Sequence, residues 1–368
     1  MGALLALQPC RLSPEILKAP LPFDLYSGNG TLLSRQGSRL KGNPETLLSQ
    51  SLFRPRLDSE RNEVGALRRL ESLIVQYGQQ TESWSCSIEN VRQLKLLAGE
   101  LVELCAAHSD VCVSMAAYLP GATHAIRHSF AVAIHSIVLG SALGLDTSHL
   151  HTLARAALTM NLSLLSYHDD WASIRGTLSV LQMNNVHRHP FLSSDLLSQS
   201  PGVDLNWITA VDQHHENFDG SGYPLGLKGE LIALESRVLR AADMWCALVL
   251  DRSGRGRKPP RLALHELSGS VRGHLDYQIF VTLKKLMGCY PPGTLTRLSN
   301  RETALVVRWD RNGPLPRSVV SIISASGETM REFNIRNVSQ SGFGIRDYAQ
   351  LNLAQISRIR WPRVWESS

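Results

Sequence analysis

The sequence has few features of a secreted, membrane-spanning or disulfide-bonded protein. Its six cysteines form no CxxC pair, which argues against a zinc ribbon and favours reduced thiols. The N-terminal stretch MGALLALQPC has no basic segment, and its apolar run is too short for a signal peptide. The longest other apolar stretch, FAVAIHSIVLGSALGL, is shorter than the roughly 20 residues of a membrane span. We therefore expect a cytoplasmic protein with no membrane span.

The positive charge of the chain is spread thinly. The 368 residues have a formal net charge of +6, and the pI is near 9.1. No stretch combines dense Lys and Arg with stacking aromatic residues, so we expect no nucleic-acid partner, although an anionic ligand would suit this charge. With 43% hydrophobic and 19% charged residues, the chain is typical of globular proteins of two or three domains.

The hydrophobic periodicity changes twice along the chain. Residues 1–85 contain short apolar runs, a hairpin-like FDLYSGNGTLLSRQG and one helical pattern, so we predict a small α/β segment with a sensory or docking role. Residues 86–290 have apolar residues three to four positions apart, typical of amphipathic helices. Residues 291–368 contain short β-branched runs between turns and predict a small β module. The predicted fold class is therefore mainly α.

The stretch HHENFDGSGYP contains the first candidate site. Adjacent residues on a helix point about 100° apart, so His214 and His215 suit a metal site at a helix end better than one at mid-helix. The alternative is one buried, hydrogen-bonded histidine beside a solvated one. Gly220 and Gly222 permit positive φ angles and Pro224 stiffens the exit of the loop, so the position of this loop matters.

Other residues extend this candidate site. His124 and His128 are separated by four positions and share one face of a helix, which is a chelating spacing. His189 precedes a proline. Asp243 lies on an otherwise apolar helix, and a buried carboxylate needs a partner. A metal or a histidine would satisfy it, and a structural salt bridge and a role as metal ligand remain equally open for Asp243.

HHENFDGSGYP followed by AADMWCAL resembles the HD-GYP family of bacterial cyclic-di-GMP phosphodiesterases. The resemblance covers roughly residues 120–290 and extends weakly to YPPGTLTRLSN. It implies an HD-type helical bundle that holds two or three metal ions, commonly iron or manganese, and cyclic-di-GMP as substrate or ligand. The ligands that it implies are His128, His189, His214, His215 and Asp243, with His124 where some members have a carboxylate.

The resemblance also implies a functional loop. This loop, called the GYP loop below, is the surface at which we expect substrate and a diguanylate cyclase-type protein to bind. Its residues are Asp219, Gly220, Gly222, Tyr223 and Pro224. Arg252, Arg255, Arg257 and Lys258 follow Asp243 in a basic stretch that could contact phosphates, although a solvated loop is the alternative.

The chain departs from the family at its most characteristic motif. The family has an adjacent His-Asp pair, usually within AALLHDIGK, and the matching stretch here is AALTMNLSLL. Met160 therefore replaces the histidine and Asn161 the aspartate. A shift of register to His168 and Asp169 would move the pair roughly 12 Å along a helix. We interpret those two residues as exposed polar positions near a helix end.

The substitution leads to three hypotheses. Asparagine bridges two ions poorly and a thioether does not suit hard or borderline ions, so we expect a cyclic-di-GMP signalling protein with weak or lost hydrolysis. The first alternative is an active phosphodiesterase with a mononuclear site. The second is a metal-free protein-interaction scaffold. Whether the chain is an enzyme stays open at this point.

Overall fold

A computed structural model describes much of the chain. The described residues are 7–10, 25–27, 32–35, 38, 52–55, 62–82, 84–119, 122–165, 179–251, 256–270, 273–309 and 315–366. His168, Asp169, Arg252 and Arg255 lie outside these ranges, so the expectations for them stay predictions. The predicted domain boundaries at residues 85 and 290 also stay predictions.

The described residues are mostly helical, as the hydrophobic periodicity predicts. The helices before the GYP loop are α1 (Glu63–Glu82), α2 (Ile88–Met115), α3 (His124–Ala142), α4 (Thr147–Thr159), α5 (Val180–Ser198) and α6 (Leu205–Asp212). Those after it are α7 (Leu234–Val249), α8 (Pro260–Ser270), α9 (Tyr277–Met287), α10 (Leu353–Ile356) and α11 (Trp361–Glu366). Short 3-10 helices lie at Leu162–Leu164 and Gly229–Leu231.

Two small antiparallel sheets accompany the helices. The first has the order β1 (Leu7–Cys10), β4 (Leu52–Pro55), β2 (Leu25–Ser27) and β3 (Leu32–Ser34). The second has the order β8 (Thr329–Asn337), β7 (Ser318–Ile323), β6 (Thr303–Leu305), β5 (Leu295–Leu298) and β9 (Ile345–Tyr348). The predicted fold class, a mainly helical chain with a small C-terminal β module, is confirmed.

Helix α3 is the centre of the helical core. Its residues are buried on every face, including Phe130, Val132 and Ile134, and α1, α2, α4, α7 and α9 pack around it. A helix that is apolar all round belongs in a core or a membrane. The helix is long and apolar enough to span a bilayer, but 78% of the relevant window is buried by the rest of the fold.

Two buried hydrogen bonds fix the end of α4, where the site begins. Tyr77 Oη on α1 donates to the Leu158 carbonyl at 2.6 Å. Trp207 Nε1 on α6 donates to Thr159 Oγ1 at 2.8 Å. Because buried polar groups are costly unless they are paired, these bonds hold α1 and α6 against the residues that precede Met160.

The core of α3 contains a neutral histidine. His135 is 4% exposed, and its Nδ1 donates to the Ala131 carbonyl at 2.8 Å. Burial lowers the pKa of His135 to about 4, although the bond to Ala131 acts in the opposite direction. The His135 ring therefore takes up a second proton less readily in the folded state than in the unfolded state.

We expect His135 to make the fold sensitive to acid. The pKa of His135 in the folded state lies below the unfolded value of 6.5. Its contribution to the free energy of unfolding is therefore complete above pH 6.5 and is lost as the pH falls towards 4. The loss reaches about 3 kcal/mol. Urea unfolding at pH 7 and pH 4.5 should show a smaller pH effect in His135→Phe than in the native chain. A control at the exposed His265, His265→Phe, should behave as native; equal pH effects in all three proteins would contradict this assignment.

Candidate metal and ligand site

Two neighbouring core helices bring His128 and Asp243 together. His128 on α3 and Asp243 on α7 form a bond of 2.8 Å between Nε2 and Oδ1. Burial by itself raises the pKa of Asp243, but the hydrogen bond and charge of His128 and the charge of Arg240 outweigh it, and the pKa falls to about 2. Asp243 is therefore an anion whose partner is a histidine. His124 lies one turn earlier, with its ring 6.1 Å from that of His128.

The order of residues in α5 explains how His189 is oriented. Pro190 has no N–H, so the carbonyl of Val186 cannot receive the bond that a helix normally supplies from that position. His189 Nδ1 donates to this carbonyl instead, at 2.5 Å. The tautomer with a proton on Nδ1 leaves a lone pair on Nε2. The proline thus supplies the acceptor that fixes the ring.

His214 has the same tautomer for a related reason. The last carbonyls of a helix have no partner within the helix, and His214 Nδ1 donates to the Val211 carbonyl at the end of α6, at 2.6 Å. Burial lowers the pKa of His214 to about 4, so this imidazole is neutral near pH 7. Its Nε2 therefore also carries a lone pair.

These two lone pairs point to a cation site. His189 Nε2 and His214 Nε2 lie 3.1 Å apart. Because the proton of each ring is on Nδ1, no hydrogen bond can form between these two nitrogens. Nitrogens bound to one ion at about 2.0–2.1 Å lie about 3.0–3.4 Å apart, depending on the coordination angle. The donor atoms of His189, His214 and His215 all lie within 4.8 Å of one another. The arrangement fits one divalent ion, and these three residues are called the histidine cluster below.

Arg240 contacts the third member of the cluster. Its Nη1 lies 2.9 Å from His215 Nδ1, and its Nη2 donates to Asn217 Oδ1 at 2.9 Å. Because a guanidinium can only donate, Nδ1 of His215 is the acceptor and Nε2 carries the proton in the neutral ring. Burial, followed by the charges of His214, His189 and Arg240, lowers the pKa of His215 well below its usual value. In this arrangement His215 offers a lone pair only to Arg240.

Glu216 organises the loop that follows the cluster. Its Oε1 accepts hydrogen bonds from the N–H groups of Leu225 (2.6 Å) and Gly226 (3.1 Å), and its Oε2 accepts one from Leu227 (2.9 Å). Gly222 passes so close to this segment that an added Cβ would lie 2.2 Å from the backbone nitrogen of Asn217. The ring of Tyr223 stacks on His215 with centroids 4.8 Å apart. The loop therefore covers one side of the histidine cluster.

We expect Glu216→Gln to destabilise the protein. A neutral amide replaces a carboxylate that accepts three backbone hydrogen bonds in a buried position, so the free energy of unfolding should fall by about 1–3 kcal/mol. Glu230→Gln, at an exposed position nearby, should change it by less than about 0.5 kcal/mol. Urea unfolding of the two variants tests this. Equal stability of Glu216→Gln and the native chain would show that the carboxylate is not needed to hold the loop.

Comparison with known proteins agrees with this architecture. Residues 111–279 match a family model described as an HD domain. The HDG"Y"P protein Bd1817 from Bdellovibrio bacteriovorus has a similar fold, with a TM-score of 0.51 at 16% identity over 76% of this chain and 99% of that one. Residues 111–279 therefore match an HD domain, and the fold is similar to that of an HD-GYP protein.

Curated relatives of this chain include phosphodiesterases of cyclic dinucleotides. The cyclic di-GMP phosphodiesterase PA4108 of Pseudomonas aeruginosa is 25% identical over 65% of this chain. The 3'3'-cGAMP-specific phosphodiesterase 3 of Vibrio cholerae is 28% identical over 45% of this chain. The matched regions span 63% and 35% of the lengths of these two relatives.

The substituted pair, Met160 and Asn161, lies in a turn that contacts the helix of His189. Met160 is fully buried and Asn161 is 8% exposed. They form the turn between α4 and the 3-10 helix Leu162–Leu164. Two residues later, Ser163 Oγ donates to the His189 carbonyl at 3.2 Å. This turn therefore packs on the helix that carries His189, but it offers a thioether and an amide where the family has an imidazole and a carboxylate.

The remaining candidates lie elsewhere or make other contacts. Arg257 stacks on Tyr118 and Lys258 forms a salt bridge with Glu266. In the GYP loop, Asp219 Oδ1 accepts hydrogen bonds from the backbone and side chain of Ser221, and Gly220 has a φ of +87°. Sequence reasoning missed Arg240 and Glu216. Glu216 follows the paired histidines directly, whereas nothing in the spacing of Arg240 indicates that it reaches His215.

Proposed function

We propose that this chain is a cyclic-di-GMP signalling protein that binds a divalent ion and has weak or no hydrolytic activity. The observation that carries the proposal is the pair of Nε2 atoms of His189 and His214 at 3.1 Å, beside a turn with Met160 and Asn161. The relatives that act on cyclic-di-GMP support the choice of ligand. A relative specific for 3'3'-cGAMP makes that dinucleotide the competing ligand.

The charges of the cluster favour one ion over two. Three imidazoles form the cluster, and the one carboxylate in the predicted ligand set, Asp243, already binds His128 at 2.8 Å. Two-metal cleavage of a phosphodiester needs ions about 3.5–4 Å apart that share ligands and an activated water. Asn161 has one neutral carbonyl oxygen and cannot replace a bridging carboxylate. A second divalent ion would therefore meet too little negative charge.

The cluster residues have separate roles in this proposal. A bound divalent ion, with iron or manganese as the first candidates, would act as a Lewis acid towards a phosphate oxygen. His189 and His214 would hold it, and Asp243 would keep His128 oriented beside it. Arg240 would hold the ring of His215 against Tyr223 and add positive charge for an anionic ligand. The GYP loop would present Tyr223 and Pro224 to the ligand or to a diguanylate cyclase-type partner.

Two specific results distinguish the alternatives. Purified protein is loaded anaerobically with Mn²⁺ or Fe²⁺ and titrated with cyclic-di-GMP and with 3'3'-cGAMP in a calorimeter, and the products are separated by chromatography. We expect saturable binding of cyclic-di-GMP with little linear product. Robust turnover that disappears in His214→Ala would contradict the loss of hydrolysis and leave an active phosphodiesterase. Absence of both metal and nucleotide binding would leave only the scaffold.

A further inference from the structure

A cavity lies between the helical core and the C-terminal sheet. It has a volume of about 480 Å³, and it is lined by residues of α2, α3 and α7, by the 256–260 segment and by the C-terminal module. None of the predicted metal ligands lines it. Its size falls within the range of about 300–1,000 Å³ that is usual for small-molecule sites.

Hydrogen bonds between modules form the walls of this cavity. Tyr118 Oη donates to the Gly293 carbonyl at 2.7 Å. Gln350 Nε2 donates to the Arg257 carbonyl at 3.0 Å. Because these bonds tie the end of α2 and the 256–260 segment to the sheet, the cavity belongs to the packed structure.

Arg257 supplies a positive charge inside the cavity. Its guanidinium lies 4.2 Å from the centre of the Tyr118 ring, and Nη2 donates to the Ala117 carbonyl at 2.7 Å. Among the residues that the structure describes, no carboxylate forms a salt bridge with it. Lys258 is neutralised by Glu266. The two acids that line the cavity, Asp251 and Asp347, are exposed, so solvent screens them more than it screens half-buried Arg257.

The inner wall carries aromatic and polar groups of two core helices. His135 lines the cavity, and because its Nδ1 donates to Ala131, its Nε2 presents a lone pair. Within the described part of the chain, no hydrogen bond satisfies that nitrogen. Trp245 is 1% exposed and also lines the cavity. Its Nε1 is buried without a hydrogen-bond partner in the same part of the chain, although buried polar atoms are usually paired.

We propose that this cavity binds a small organic anion with a flat, largely apolar body and one carboxylate, sulfonate or phosphate group. Arg257 receives the anionic group, Tyr118 and Trp245 contact the body, and His135 Nε2 accepts a hydrogen bond from it. The occupant would touch α3 and α7, the helices that carry His128 and Asp243. The site is separate from the histidine cluster and does not depend on the proposed function.

Two matched fluorescent probes test the site in the full chain. 8-Anilinonaphthalene-1-sulfonate has an aromatic body and one sulfonate, and N-phenyl-1-naphthylamine is its uncharged counterpart. We expect saturable binding of the sulfonate at one site per chain. Arg257→Gln should weaken binding of the sulfonate by about tenfold and binding of the uncharged probe by less than about twofold. Arg257→Lys should recover most of the lost affinity for the sulfonate.

Further variants separate this cavity from other surfaces. Ala349→Trp, which adds a bulky ring to the cavity wall, should abolish binding of both probes while the melting temperature stays within a few degrees of native. His214→Ala should leave both affinities unchanged within about twofold. Non-saturable binding by the native chain, full binding by folded Ala349→Trp, or equal weakening of both probes by Arg257→Gln would overturn the proposal.

Discussion

The double variant Met160→His, Asn161→Asp is expected to bind two divalent ions per chain and to hydrolyse cyclic-di-GMP about 100-fold faster than the native chain. The change supplies one imidazole and one carboxylate beside His189. The carboxylate adds the negative charge that the three imidazoles of the cluster lack. If the rest of the site is competent, these two residues are what limits catalysis.

The position of the turn favours this gain of activity. Met160 and Asn161 are buried where α4 ends, and Ser163 connects the following residues to His189 through its hydroxyl group. Metal content by mass spectrometry and turnover by chromatography are the measurements. Met160→Leu, Asn161→Ser changes the same positions without adding ligands and should remain at the native level. A folded Met160→His, Asn161→Asp protein with one ion and native turnover would show that more than this pair has been lost.

His214→Ala is expected to weaken Mn²⁺ binding by more than about 100-fold. His214 is fully buried, its Nδ1 is fixed by Val211, and its Nε2 is one of the two closely placed donors. Removal of this ring takes away the nitrogen that lies 3.1 Å from His189 Nε2. Calorimetric titration with Mn²⁺ gives the change in affinity directly.

Controls distinguish loss of a ligand from loss of the fold. His214→Gln keeps most of the volume but lacks the imidazole, and it should lose affinity to a similar degree. His265→Ala removes an exposed histidine on α8 and should bind Mn²⁺ as the native chain does. If folded His214→Ala retained native affinity, the metal position would have to be moved away from His189 and His214.

Several residues that the structure brings close together have local signals in the sequence. The spacing of apolar residues predicted the helices, and the HHENFDGSGYP motif pointed to His214, His215 and their loop, whereas His189 was chosen for its place before a proline and by the resemblance. The helix that carries Asp243 was predicted to bury a carboxylate, and the structure provides His128 as its partner. Whether any of these residues binds a metal in solution stays a prediction.

The sequence did not predict the contacts between residues that are far apart in the chain. Arg240 and His215 are 25 positions apart, and a basic residue on a helix is more often solvated than bound to a buried imidazole. The partnership of His189 Nδ1 with Val186 follows from Pro190, but only once the helix is known to continue through the proline. The cavity that includes Arg257 is formed by segments that are far apart in the chain. Its geometry depends on how the C-terminal sheet packs on the helices.

The most direct test of the central claim is to measure metal content and hydrolysis in the same anaerobic preparation of the native chain. After loading with Fe²⁺ or Mn²⁺ and removal of free ions, we predict at most one ion per chain. We also predict that the protein binds cyclic-di-GMP with little or no formation of linear product. Two ions per chain together with rapid hydrolysis that His214→Ala abolishes would contradict the account.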